Sequence, residues 1–300
     1  YELKRGQVRD FHSLPSGLKM EYIFQKGGGG GSRRNSLVFV HGSFHAAWCW
    51  AENWLPFFSR NGFDCYALSL LGQGESDSPS GSFAGSLQTH AADVANFIEK
   101  RIQSPPVLLG HSFGGLIVQY YLANLGNGDR ARSKGFSHPL PRLSGTVLLC
   151  SVPPSGNSGL VWRYLFSNPM AAIKVTLSLA AKAFQTSVPL CKETFFSSDI
   201  DDRLVVRRYQ KLMTGGLRMP LFDLRKLNES LPIPPLDDSS SPVEILVLGA
   251  ENDFIVDAKG IEETGRFCGV PAVRIEGVAH DMMLDSAWEK GAQAILSWLN

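Results

Sequence analysis

The sequence predicts an α/β fold: a mostly parallel central sheet with helices on both faces and a helical cap inserted after one strand. Three observations predict it. Continuous apolar runs of strand length alternate with helical patterns along most of the chain. The alternation breaks once, over 152–240, where helical patterns run on with no convincing strand between them. Three hundred residues at 44% hydrophobic content are enough for one large core carrying an inserted subdomain. The chain is therefore expected to divide into a first core part, 1–151, the cap, 152–240, and a second core part, 241–300.

Each element follows from its local pattern. "LKMEYIFQ" (18–25) alternates like an edge strand, and the flexible "GGGGGSRRNS" leads into the buried run "LVFV" (37–40). "AWCWAENWLPFFSR" (47–60) is a helix with a thick aromatic face, so Trp48 and Trp50 belong to the core. "FDCYALSL" (63–70) is a strand, a polar glycine loop runs to residue 85, and "SLQTHAADVANFIEKRI" (86–102) is a helix behind a Ser86 cap. "PVLLG" (106–110), the helix "FGGLIVQYYLANLG" (113–126) and the strand "LSGTVLLCS" (143–151) complete the first part. In the cap, "NPMAAIKVTLSLAAKAF" (168–184) and "DIDDRLVVRRYQKLM" (199–213) read as helices, and the proline-rich "LPIPPLDDSSSP" (231–242) returns the chain to the core. "VEILVLGA" (243–250), "AVRIE" (272–276) and the helix "AWEKGAQAILSWLN" (287–300) finish the sheet. A helical lid over the carboxyl ends of the strands would open and close over a substrate and exclude water.

Composition narrows the function. Lys+Arg 29 against Asp+Glu 28 leaves a net charge of +1, which gives no long-range field for nucleic acid or acidic lipid. The five cysteines (49, 65, 150, 191 and 268) are scattered and lack C-x-x-C spacing, against both a disulfide framework and a zinc site. They fit a reducing, intracellular compartment. No apolar run approaches the ~18 residues of a membrane span. The opening "YELKRGQVRD" is neither a signal peptide nor a start with methionine, so a removed targeting segment and a cytoplasmic or plastid location are both compatible with it.

The chemistry centres on "PVLLGHSFGG" (106–115), an apolar run ending in a serine boxed by glycines. Gly110 and Gly114 permit a sharp strand-to-helix elbow that presents one side chain, Ser112. A short glycine–serine pattern arises readily by chance, so its partners matter. A serine hydroxyl needs a base within hydrogen-bond reach and a carboxylate that orients the base. Of seven histidines, only His280 lies after the cap, in the loop "EGVAHDMML" between the last strand and the last helix. The acid is expected after the penultimate strand, where "LVLGAENDFIVD" offers Glu251, Asp253 and Asp257. Asp253 is the choice: it lies just past the strand end, whereas Asp257 is placed to cap the helix that follows and Glu251 is the fallback. The order Ser112, Asp253, His280 is that of a serine nucleophile with its acid and base. Oxyanion donors are expected at the Phe113 amide, at a helix start, and at the Ser43 amide in "HGSFHAAWCW" (41–50), where Gly42 lets the chain turn. His41 reads as a structural histidine tying that loop down. Phe44, His45, Trp162 and Leu221 are the expected substrate-binding residues, with apolar cap positions pointing to a hydrophobic substrate.

Taken together, "GHSFGG", Asp253 and His280 resemble a capped member of the α/β-hydrolase superfamily over nearly the full chain. The segment "HGSFHAAWCW" is similar to the corresponding loop of plant methylesterases and hydroxynitrile lyases, and "GQGES" (72–76) resembles a glycine turn of many family members. Ser69 and Leu71 stand where that turn usually follows an acidic and a basic residue, a departure that removes a local salt bridge. The resemblance implies no metal and no organic cofactor, and Ser112 in place of an aspartate counts against an epoxide hydrolase or a dehalogenase. The expected function is a serine hydrolase acting on a carboxylic ester or thioester of a hydrophobic small molecule. Acyl transfer from the same acyl-enzyme and a ligand-sensing receptor of this fold are the alternatives. The sequence sets no oligomeric state.

Overall fold

The computed structural model describes residues 1–28, 34–126, 139–156, 159, 163, 170, 173–174, 176–236 and 243–300. Eight strands form one sheet: β1 (Gln7–Ser13), β2 (Lys19–Gln25), β3 (Leu37–Val40), β4 (Cys65–Leu68), β5 (Val107–His111), β6 (Gly145–Leu149), β7 (Glu244–Ala250) and β8 (Ala272–Ile275). Their spatial order is β1-β2-β4-β3-β5-β6-β7-β8. The β1–β2 and β2–β4 pairs are antiparallel and every other pair is parallel. All residues of β3, β5 and β6 are buried, as expected of short apolar runs covered on both faces.

The pleat divides these apolar runs between two cores. Val38, Val40, Leu108, Leu148 and Val247 face one side, under α3 (Leu87–Arg101), α4 (Phe113–Asn124) and α8 (Ala258–Cys268). Leu37, Phe39, Leu109, Leu149 and Leu248 face the other, under α1 (Trp48–Ala51), α2 (Trp54–Arg60) and α9 (Trp288–Leu299). Trp50 and Trp54 are fully buried there. Helix starts follow their capping chemistry: Ser86 accepts the Thr89 amide in a capping box, and Asp257 accepts the Gly260 amide at the start of α8.

Three expectations are corrected. The strand at 18–25 is not at the edge: β2 lies between β1 and β4, and β1 is the edge. β1 was missed because its sequence, QVRDFHS, buries only Gln7 and His12 and so carries no apolar alternation. The helix at 47–60 is two helices, α1 and α2, separated at Glu52 and Asn53. Between β6 and β7 the described elements include α5 (Val188–Phe195), α6 (Arg207–Gly216) and α7 (Leu224–Glu229), with a tight helical turn at Ala183–Gln185 and wider ones at Thr176–Ala180 and Asp202–Val206. The sequence reading overlooked α5, although Ser187 followed by a proline in the first turn is a start signal.

The glycine turn at 72–76 is fixed by a residue from β2. The buried Glu21 carboxylate accepts the Ser69 hydroxyl at 2.6 Å and the Glu75 amide at 2.9 Å, and pairs with Arg9 of β1 at 2.7 Å. Charge missing beside the turn is thus supplied across the sheet. Among the described residues no helix is long and apolar enough to cross a membrane, and all five cysteines are buried free thiols.

Candidate active site

β5 runs directly into α4, and Ser112 is the corner. Its backbone sits at φ 54°, ψ −121°, a region that suits glycine and strains any residue with a side chain. The corner is pinned from β6: the Ser112 amide donates to Leu149 O at 3.0 Å, and Ser112 O accepts the Val152 amide at 3.2 Å. Close packing requires the flanking glycines. A Cβ on Gly114 would stand 2.5 Å from the Val40 and His41 carbonyl oxygens, and one on Gly110 would stand 2.6 Å from Gly114 O. Helix α4 therefore approaches the sheet only with glycine in its first turn.

The loops after β7 and β8 bring Asp253 and His280 together. His280 Nδ1 lies 2.9 Å from Asp253 Oδ2 and 3.0 Å from Oδ1, with both side chains almost wholly buried. Asp253 Oδ1 also accepts the Ile255 and Val256 amides at 2.7 and 2.8 Å, which fixes the carboxylate. Burial alone would push the His280 imidazole down. The Asp253 charge and hydrogen bond, with a smaller part from Asp281, outweigh it and raise the pKa above the ordinary value. The other two acids are engaged elsewhere: Glu251 accepts the Gly277 amide at 2.9 Å, and Asp257 caps α8 and forms a bidentate pair with Arg163 of the insertion.

His111 links this pair to the elbow. Its Nε2 donates to the His280 carbonyl at 2.9 Å, and the two rings lie 4.7 Å apart. Burial first, and the neighbouring His280 next, lower the His111 pKa to about 3, so it works as a neutral donor. His280 and Asp281 with His111, and His280 and Asp253 with Cys150, are the described groups whose ligand atoms lie within 4.8 Å of one another and so could hold a metal ion.

The loop after β3 packs against Ser112. A Cβ on Gly42 would come 2.7 Å from Ser112 Cβ and 3.3 Å from its Oγ, so only glycine fits. His41 holds this turn. The Leu70 amide donates to His41 Nε2 at 2.9 Å, which places the ring proton on Nδ1, and Nδ1 donates to Gly42 O at 2.7 Å. Burial lowers the His41 pKa to about 3, consistent with that neutral tautomer. In a trans peptide the carbonyl and amide point opposite ways, so holding Gly42 O back turns the Ser43 N–H away from His41. Neither the Ser43 nor the Phe113 amide finds an acceptor among the described residues.

The expected substrate-binding residues fare differently. Phe44, half-buried with φ 68°, packs on Phe184 and Phe195 of the insertion at ring distances of 4.8 and 6.4 Å. His45 is buried with both ring nitrogens engaged, Nδ1 with Ser43 O at 2.8 Å and Nε2 with Asp281 Oδ2 at 2.9 Å. Leu221 is 4% exposed and packs in the core, where its carbonyl accepts the Gly85 amide and His90 Nε2. Trp162 lies outside the described residues. Sequence reasoning missed His111, Asp281 and Asp285. For the two acids the available signal was a carboxylate inside the apolar run "AHDMMLD", where a charge is buried only with partners.

Comparison with known proteins bears on the family and the fold. The model described as "Alpha/beta hydrolase family" matches residues 37–294. "Putative methylesterase 13, chloroplastic" of Arabidopsis thaliana is 32% identical over 91 residues, 30% of this chain and 20% of that protein. "Carbendazim hydrolyzing esterase" of Nocardioides sp. (strain SG-4G) is 30% identical over 83 residues, 28% of this chain and 34% of that protein. The matched stretches therefore span between a fifth and about a third of those relatives' own lengths. Among solved structures, "Esterase (EaEST) from Exiguobacterium antarcticum" superposes with a TM-score of 0.65 at 17% identity, covering 97% of this chain and 99% of that one. At that identity the likeness is one of fold.

Proposed function

The chain belongs to the alpha/beta hydrolase family, and from that premise we propose that it is a serine hydrolase cleaving a carboxylic ester or thioester of a hydrophobic small molecule. The observation that carries the reading is the strained backbone of Ser112 next to His111, whose ring is bonded to the His280 carbonyl of the hydrogen-bonded His280–Asp253 pair. Strain at a serine that packing alone does not need is a cost the fold bears to present its hydroxyl.

In this reading Ser112 Oγ attacks the ester carbonyl carbon and its proton passes to His280 Nε2. Asp253, holding Nδ1, stabilises the imidazolium that forms. The amides of Ser43 and Phe113 receive the oxyanion, where removal of one such donor typically costs about 10²–10³ in rate. Collapse expels the alcohol or thiol, which takes the proton from His280. Water then gives a proton to His280 and attacks the acyl carbon, and as the Oγ–acyl bond breaks His280 returns that proton to Ser112 Oγ and the acid leaves. Phe44 with Phe184 and Phe195 supplies an apolar wall near the site, which supports a hydrophobic substrate. The relatives named as esterases support ester chemistry, and five buried free cysteines support a reducing compartment.

The test is fluorophosphonate labelling beside turnover of p-nitrophenyl esters of graded chain length. Ser112 is expected to carry the label, and Ser112→Ala to lose both label and turnover. Turnover retained by that variant overturns the reading.

A further inference from the structure

Beneath the Ser112 site lies a second acid–imidazole pair that the mechanism above does not use. His45 Nδ1 is 2.8 Å from Ser43 O and its Nε2 is 2.9 Å from Asp281 Oδ2. A carbonyl and a carboxylate are both acceptors, so the arrangement that satisfies both has each ring nitrogen donating. The ring stacks on Trp48 at 5.5 Å and stands edge-on to Phe195 and His111 at 6.1 Å, which leaves it one orientation. Asp281 is fully buried and is the residue after His280; its amide donates to Phe195 O at 2.9 Å.

The consequence is a continuous tie between two loops. The peptide before Ser43 is held by His41 through Gly42 O, and the peptide after it is held by His45 through Ser43 O. His45 is in turn bound to Asp281, and so to the backbone that carries His280. A surface contact would be loosened by water, but this one is buried from it, with both side chains almost wholly inaccessible.

We propose that His45 and Asp281 are a positioning pair that locks the Ser43 loop to the His280 loop, so that the oxyanion donor and the base keep one spacing through the reaction. The proposal rests on the serine hydrolase reading for its kinetic consequence, though not for the tie itself. Misplacing a catalytic group by about 1 Å typically costs about 10²-fold in rate. His45→Gln keeps a donor for Asp281 but lacks a second one for Ser43 O, and Asp281→Asn keeps an acceptor but removes the charge.

The experiment measures kcat and KM separately for a short p-nitrophenyl ester, with His45→Gln, Asp281→Asn and the double variant, each checked for folding by thermal melting. The expected result is a fall in kcat of about 10²-fold with KM nearly unchanged in each single variant, and no further fall in the double. Amide hydrogen exchange of 41–47 and 277–283 is measured in the same proteins, and both loops are expected to exchange faster in either variant. Unchanged kcat in folded single variants, or faster exchange confined to the loop that carries the substitution, overturns the proposal. A wild-type chain that neither takes the label at Ser112 nor turns over an ester sinks the hydrolase reading instead, and the exchange measurement still decides whether the two loops are tied.

Discussion

Asp285 holds Ser197. The buried carboxylate accepts both the amide and the hydroxyl of Ser197, at the end of the turn after α5, and also takes the Ala279 amide, next to His280, at 2.9 Å. The insertion is thereby joined to the loop that carries His280, and Asp281 N to Phe195 O is a second joint one turn away. An insertion free to swing as one lid would break both. Its α5 end is expected to stay with the core while any opening occurs elsewhere. Ser197→Ala, which loses one charge-assisted hydroxyl bond, should cost about 2 kcal/mol, and Asp285→Ala, which strands several buried donors, about 4 kcal/mol. Hydrogen exchange should show 195–197 protected to the same degree as 277–286; a much faster 195–197 segment would restore the independent lid.

The strain at Ser112 makes an opposite prediction for stability and activity. Glycine occupies φ 54° freely, so Ser112→Gly should be inactive yet more stable than Ser112→Ala by about 1 kcal/mol, visible as a melting temperature higher by about 2–3 °C. Equal melting of the two variants would mean that the corner stores no strain.

The pH profile follows from the charges around His280. In the proposed mechanism His280 must be neutral to take the proton from Ser112, and its pKa is raised because Asp253, aided by Asp281, outweighs burial. The acid limb of kcat/KM should therefore lie above the ordinary imidazole value of about 6.5. Asp253→Asn keeps an oxygen for the Ile255 and Val256 amides, so the fold should survive. With the negative charge gone the limb should move to lower pH, and kcat should fall by about 10⁴. Glu251→Gln, at a half-exposed residue bonded to Gly277, should leave the profile in place.

Leu221 and Phe44 separate packing from substrate contact. Leu221 is buried in the core, so Leu221→Ala should cost about 3 kcal/mol and lower turnover of short and long esters together. Phe44 is half-buried beside Ser43, so Phe44→Ala should reduce turnover of long-chain esters more than that of the acetate. A chain-length effect from Leu221 with unchanged melting would reverse these assignments.

Strands β3, β5, β6 and β7 and the helices α3, α4, α8 and α9 were legible because each is written locally: apolar runs of strand length, helical spacing, a Ser86 or Asp257 cap. The His280–Asp253 pairing was legible for a related reason. When the strand order of the fold is known, the loop after each strand has one place, and each of those loops offered few acids or histidines. β1 was not legible, since this edge strand buries the polar Gln7 and His12 and exposes Val8 and Phe11, which leaves no apolar period facing the core. Nor were the roles of His45, Asp281 and Asp285. Each is a single polar residue, and whether it meets a substrate, water or a buried partner depends on which residue, 236 positions away for His45 and Asp281 or 88 for Asp285, comes to lie against it. Sequence thus determined most of the sheet, the helices that cover it and the chain order of Ser112, Asp253 and His280. Only tertiary packing decided that His45 faces Asp281, because burial makes a polar side chain take whatever partner the fold supplies.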